Sequence, residues 1–366
     1  MLKLKVLEEL GKPYHIFTDM VENGAIEQFV SVMKQPDVVQ GALMPDVHSG
    51  YVLPIGGVVA TKGTIYPAFV GYDIGCGVST VQIILKGDVN VKDIHGTIHQ
   101  VVPVGFNSHH HGYDSATLAR RIGVPPECIR DLVDKHLHQV ATLGGGNHFI
   151  EVGVDENGKH WISVHSGSRG LGHSVASRFM EASGGEGIHP ISVGSVLGRD
   201  YIAAMSYCLR WALFNREKMM RNVCEALNAT FLEDTMVNRN HNHAEEKDGL
   251  WIHRKGATHA EEGMLGVIPA NMRDGVFIVR GRGNADSLYS SSHGAGRVLS
   301  RSKAKKLISL EDFEEMMGGR KDGFSIDESR IDECPAAYKP IDLVMENQKE
   351  LIDIISHIKP IVNVKG

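Results

Sequence analysis

The hydrophobic pattern predicts an α+β fold in a single unit spanning residues 1–366, and three observations carry that prediction. The first 180 residues are rich in glycine and in short apolar runs bounded by turn residues, the pattern of buried strands. Between about residues 191 and 232 the apolar spacing becomes helical. Beyond that block, apolar β-branched runs return. Strands, a helical insertion and strands again fit mixed sheets with inserted and flanking helices better than a doubly wound sheet.

In chain order, GGVVAT (56–61), STVQIIL (79–85) and WISVHSG (161–167) read as short buried strands. Ile202, Met205, Leu209, Ala212 and Leu213 recur at helical spacing and predict one long helix or a helical pair. GVFIVRG (275–281) returns to strand. Val344, Leu351, Ile354, Ile355 and Ile358 read as an amphipathic helix, followed by an extended tail, KPIVNVKG. In that tail the alternating apolar residues of PIVNV can pin a strand. There is no repeat of fixed period and no low-complexity linker.

Composition narrows the function classes. Hydrophobic residues make up 42% and charged residues 22%, as in a globular chain, and no apolar run is long enough for a membrane span. The opening MLKLKVLEELGKPYHIF is too charged for a secretory signal. Five cysteines (76, 128, 208, 224 and 334) lie far apart, which suits a reducing cytoplasm better than a disulfide framework. A net charge of −6 argues against non-specific coating of nucleic acid, though not against a local basic site. The 20 histidines, many beside Gly, Asn or Ser, are the feature to pursue.

VGYDIGCGVST (70–80) sets Asp73 and Cys76 three residues apart among glycines. A carboxylate and a thiolate are one hard and one soft ligand, so the stretch is either a transition-metal site or a turn holding a buried thiol. Other polar loops bear on the choice. LMPDVHSGYVLPIGG carries Asp46 and His48 on one side of an extended segment. LGGGNHFIEVG places Asn147, His148 and Glu151 after three glycines, where backbone amides can approach an anion. ISVHSGSRGLG carries His165, Ser166, Ser168 and Arg169, and NRNHNHAEE carries Asn240, His241, Asn242 and His243. One such histidine is usually a hydrogen-bonded turn residue, and the HHH run at 109–111 reads as a surface loop. Taken together, Asp73, Cys76, His148, His165 and His241 make a full ligand set for one or two borderline metals.

His293 is left without a metal role. It sits in SSSHGAGRVLSRSKAKK, between small residues and GAGR, where a bulky phosphorylated group can reach it. Imidazole attacks phosphorus when its other nitrogen is oriented, and a nearby arginine can balance the transferred charge. The basic stretch Arg297, Arg301, Lys303, Lys305 and Lys306 reads either as an RNA contact or as a solvated helix face. The phosphate-binding pattern GxxxxGK[ST] is absent.

From PDVHSG through VGYDIGCG, GGGNHFIE, HSGSRGLG, HN and SHGAGR to the terminal VKG, the chain resembles the RtcB RNA ligases over nearly its whole length. The resemblance implies the family's α+β fold, with mixed sheets around a central cleft. It makes Asp73, Cys76, His148, His165 and His241 ligands of two Mn2+ ions, with Cys76 bridging them. It makes His293 the residue that takes GMP from GTP. Asn147, Glu151, Asn242, Asn271, Gly294, Ala295, Gly296, Arg297, Tyr338 and Lys365 become contacts of the nucleotide, Glu151 and Lys365 at the guanine and Tyr338 over or beside the base. The implied reaction joins an RNA 3′-phosphate or 2′,3′-cyclic phosphate to a 5′-hydroxyl through RNA(3′)pp(5′)G, in RNA repair or tRNA splicing in the cytoplasm. Besides RNA and GTP, the resemblance admits an activating protein partner of the archease type.

The chain also departs from that family's commoner pattern. Where a serine-bearing IPGSMG is frequent it reads IPANMRDG, with Asn271 followed by Arg273 and Asp274, and Leu53 stands where glycine is common. The chain is short for the family. Two other functions fit the residues alone. A dinuclear metal phosphohydrolase would use the Asp/Cys/His set and has no need of His293 or GTP. A metal-stabilised RNA-binding protein would use the basic stretch without catalysis.

Overall fold

The computed structural model describes residues 2–87, 90–320 and 322–366. Its largest sheet runs in the order Val237–Asn240, Gly77–Ile84, His160–Ser166, Phe149–Val154, Ile352–Lys365, Val276–Gly281 and Leu265–Pro269, with Thr230–Phe231 also pairing onto Gly77–Ile84. A second sheet has the order Tyr14–Ile16, Val38–His48, Ile55–Thr61, Leu250–Lys255 and Asn242–Lys247. Tyr14–Ile16 pairs parallel to Val38–His48, and the other pairings in both sheets are antiparallel. With helices packed on these sheets the architecture is α+β, and the three strands expected within the first 180 residues are present.

The helical block is one helix, Val196–Ala226, started by Ser195, whose hydroxyl accepts from the Gly198 amide at 3.0 Å. Its buried stripe runs through Tyr201, Met205, Cys208, Trp211, Ala212, Arg216 and Met219, so Ile202, Leu209 and Leu213 stand at its edges. The stripe packs into the main core with Ile74 and with Val81, Ile162 and Val164 of the large sheet. Short helices at Val91–Val101, Ser115–Ile122 and Arg130–His136 fill a region read only as β-rich. Their signals were local: Asn90 and Asp114 cap the first two, and Ile94 and Ile98 are buried four residues apart.

The amphipathic helix expected through Ile354–Ile358 is not there. A helix covers only Ile341–Glu346, and the chain then runs as the strand Ile352–Lys365. Ile354 and Ile355, counted as a buried face, are 51% and 41% exposed. Its residues 352–358 pair with Val276–Gly281 and its residues 359–365 with Phe149–Val154, so ladder bonds run along the whole strand, which outweighs a helical spacing carried by β-branched residues.

The registers place the polar residues. Gly77 pairs with Ser166 and Phe149 with His165, so Cys76, His148 and His165 meet at one end of the large sheet. Lys365 pairs with Phe149 and Asn363 with Glu151. From the second sheet, Val38–His48 brings Asp46 and His48, and in a separate two-stranded pair Ala257 pairs with Ser292 beside His293. Among the described residues no helix is long and apolar enough to cross a membrane.

Candidate active site

Cys76 is the centre of a buried donor cluster. Its Sγ lies 3.4 Å from His148 Nε2 and 3.3 Å from His165 Nε2, and Asp73 Oδ2 lies 3.2 Å from His148 Nε2. The His241 ring stands 5.1 Å from that of His165 and 4.6 Å from that of His293. The Leu143 carbonyl, 2.9 Å from His148 Nδ1, only accepts, so Nδ1 carries the proton and Nε2 turns its lone pair to the cluster. Two glycines make the close packing possible. A Cβ on Gly167 would fall 2.1 Å from Asp73 Oδ1, and one on Gly77 would fall 2.1 Å from the Arg239 carbonyl. Burial holds His165 and His241 well below the usual imidazole range and pushes the Cys76 thiol well up. The imidazoles are therefore neutral, as ligands must be.

Beside the cluster is a cavity lined by Asn147, Glu151, Asn271, His293, Gly294, Ala295, Gly296, Arg297, Tyr338 and Lys365, with Phe149 and Asn363. His293 Nδ1 is 2.6 Å from Oδ2 of the fully buried Asp46, at an angle poor for a hydrogen bond. The same oxygen accepts the backbone amides of His293 and Gly294 at 3.1 and 3.2 Å. A carboxylate on the Nδ1 side favours the tautomer that leaves Nε2 unprotonated. At the other end, Glu333 accepts from Lys365 Nζ at 2.6 Å and from the Tyr338 hydroxyl at 2.7 Å. Arg301 also binds Glu333, at 2.7 Å. Burial raises the Glu333 carboxyl, but Lys365 and Arg301 beside it bring it down to about 2. Glu151 has no direct ion pair: burial pushes it up to about 8 against its bond from Asn363 and the charge of Lys365, and its Oε1 has no partner.

The family model described as "tRNA-splicing ligase RtcB" matches residues 28–123 and 121–366. The RNA-splicing ligase RtcB of Escherichia coli strain K12 is 34% identical over 94% of this chain and 95% of its own length. The chain belongs to the RtcB family of ligases. Two further relatives are the tRNA-splicing ligase RtcB of Pyrobaculum aerophilum, 28% identical over 97% of this chain and 95% of that protein, and RNA-splicing ligase RtcB2 of Escherichia coli, 27% identical over 94% and 93%.

Against the residues expected from the RtcB motifs, two are placed differently. Asn242 does not line the cavity: its amide donates to the Asp73 carbonyl and accepts from the Gly256 amide, bracing the loop that carries Cys76. Arg297 lines the cavity but its guanidinium turns to the Leu299 and Asp332 carbonyls and to the Tyr338 hydroxyl, lying 4.9 Å over the Tyr338 ring. Asn271 reaches the cavity wall, while its amide closes a turn on Arg273 and Asp274. Leu53 is fully buried. His243 faces the buried Arg254, whose charge Glu245 balances.

Three residues of weight were missed or undervalued from sequence. Glu333 had no motif of its own, Asp46 no assigned partner, and Arg216 sat unnoticed on a helix. Arg216 is fully buried under the cluster and donates to the carbonyls of Gly75 (2.9 Å) and Ser166 (2.8 Å) and to Asn238 and Asn240. Its signal was a cation on an apolar stripe, four residues past Ala212. Burial lowers its guanidinium to about 10, so it stays charged at neutral pH. The donor set passes a test of fit for a transition metal: Cys76, His148 and His165 offer ligand atoms all within 4.8 Å, and Asp73 adds a carboxylate.

Proposed function

We propose that this ligase uses GTP to join RNA 3′-phosphate or 2′,3′-cyclic phosphate ends to 5′-hydroxyl ends, as the names of its relatives suggest for RNA. The observation that carries the reading is the position of His293. It lies between the donor cluster and a cavity also lined by a buried carboxyl with an unpaired oxygen, Glu151 Oε1. A buried carboxyl with an unpartnered oxygen needs a hydrogen-bonding partner, and the N–H groups on one edge of guanine would favour its ionised form and bind it. Lys365 and Tyr338, held by Glu333, would flank the same base.

His293 Nε2, freed by Asp46 at Nδ1, attacks the α-phosphorus of GTP; the N–P bond forms as the bond to pyrophosphate breaks. GMP then passes from His293 to the RNA 3′-phosphate, giving RNA(3′)pp(5′)G, and the 5′-hydroxyl displaces it. Asp73, Cys76, His148, His165 and His241 would hold up to two Mn2+ ions. Bound there, the ions would supply Lewis-acid stabilisation of phosphoryl oxygens. The test is incubation with α-labelled GTP and manganese. Label retained on denatured protein and mapped to His293 is the expected result. Label released as GDP or GMP without a protein adduct supports the phosphohydrolase instead, and the absence of both products supports RNA binding alone.

A further inference from the structure

Lys339 stands between Tyr338, which lines the nucleotide cavity, and the helix Ile341–Glu346, and it is 5% exposed. It does not line the cavity itself. Its Nζ donates instead to three main-chain carbonyls, Val47 at 2.8 Å and Met20 and Pro45 at 3.0 Å. An ammonium has three N–H bonds and no lone pair, so these carbonyls use it completely and leave no donor for a phosphate. Carbonyls only accept, and three of them converging in the interior require a group that only donates.

What these bonds hold is the backbone on either side of Asp46. Pro45 and Val47 flank that residue, and the carbonyl of Asp46 accepts from His48 Nδ1 at 2.9 Å, so three consecutive carbonyls are fixed. The main chain of Lys339 holds the other partner: its amide donates to the Gly296 carbonyl at 2.9 Å. Gly296 belongs to the loop that carries His293. It is left-handed (φ 74°) and packs so closely that a Cβ there would fall 2.2 Å from the Asp46 carbonyl oxygen. One residue therefore ties together the two backbone segments that must meet for Asp46 Oδ2 to reach His293.

We infer that Lys339 is a positioning residue for the transfer of GMP to His293: it sets the Asp46 carboxylate beside Nδ1 and touches neither nucleotide nor metal. This rests on the ligase reading above. In that step the Nε2–phosphorus bond forms as the bond from phosphorus to pyrophosphate breaks. The electron pair leaves on pyrophosphate, and the Nδ1 proton stays between His293 and Asp46. The Nε2 lone pair depends on that proton being at Nδ1, where the carboxylate favours it. Without the ammonium the Pro45 and Val47 carbonyls must find other donors, and Asp46 moves with them. A displacement of about 1 Å in a reacting geometry can cost about 10²-fold in rate. Sealing from RNA(3′)pp(5′)G does not pass through His293 as nucleophile, so it does not need Lys339.

The experiment measures two rates: single-turnover labelling with α-labelled GTP and manganese, and sealing of synthetic RNA(3′)pp(5′)G to a 5′-hydroxyl RNA. Lys339→Met keeps the length of the side chain and removes all three donors. It should slow labelling at saturating GTP about tenfold or more, with half-saturating GTP unchanged within about twofold and sealing near that of the original protein. Lys339→Gln keeps two N–H donors and should recover part of the labelling rate, and it carries the same comparisons if Lys339→Met does not fold. In an Asp46→Asn background either change should cost no further labelling rate, because the contact it serves is already lost. A variant that slows both steps alike, raises only the half-saturating GTP, changes neither rate, or adds its full cost to Asp46→Asn overturns the assignment. An original protein that takes no GMP and seals nothing defeats the ligase reading itself, a result visible before any variant is made.

Discussion

Glu333→Ala should loosen the last strand and weaken the nucleotide cavity together, because one carboxylate holds both. Its Oε2 takes Lys365 Nζ and the Tyr338 hydroxyl, its Oε1 takes Arg301, and Arg297 stands 3.5 Å away. Both Glu333 and Lys365 are almost wholly buried, so solvent screens little of the attraction. Lowering the carboxyl from its ordinary 4.5 to about 2 corresponds to about 3 kcal/mol of stability at neutral pH. Removing one partner of a buried pair costs about 3–5 kcal/mol by direct measurement elsewhere, so the two routes agree. The sign follows from the depressed carboxyl: the stabilisation is present above 4.5 and is lost as pH falls toward 2. Urea unfolding at pH 7 should show Glu333→Ala about 3 kcal/mol less stable with the slope against urea unchanged. The original protein's advantage over Glu333→Gln should shrink through that acid window. The GTP concentration for half-maximal labelling should rise about tenfold or more, a loss of about 1.4 kcal/mol in nucleotide binding. Stability within about 1 kcal/mol of the original protein, with unchanged pH and GTP dependence, would refute the argument.

Cys76→Ser and Cys76→Ala should lose bound manganese and GTP labelling, while Cys208→Ala and Cys224→Ala, in the core helix, keep both; metal analysis and the labelling assay check this. His293→Ala should keep its metal, form no GMP adduct and still seal RNA guanylylated beforehand, and Asp46→Asn should slow adduct formation by about 10²-fold or more as the tautomer is lost. Arg216→Ala should cost about 3 kcal/mol or more in urea unfolding, since it leaves the Gly75 and Ser166 carbonyls unpaired beneath the cluster. Glu151 gives a pH test of opposite sign to Glu333. The folded protein keeps a proton that the unfolded chain releases, so stability falls as pH rises from 4.5 toward 8, and Glu151→Gln should flatten that slope in thermal melts across the window.

What the amino-acid sequence determined by itself was local chemistry. Asp-x-x-Cys among glycines, histidines after glycine runs and a lysine in an alternating tail each announce a donor or a charge, and a donor's identity does not depend on the fold. The strands Ile55–Thr61 and Gly77–Ile84 and the helix Val196–Ala226 were legible for the same reason, since their apolar spacing is written in consecutive residues. Partnership was not. Asp46 and His293 are 247 positions apart, and only the packing of the short strand Ser290–Ser292 on Val38–His48 puts the carboxylate beside the imidazole. The same holds for Glu333 with Lys365 and for Arg216 under Cys76. The segment Ile352–Ile358 shows the limit most plainly. Its spacing admits a helix, but the strand Val276–Gly281 offers it a ladder of hydrogen bonds from Ile352 to Ile358, a partner that consecutive residues do not announce.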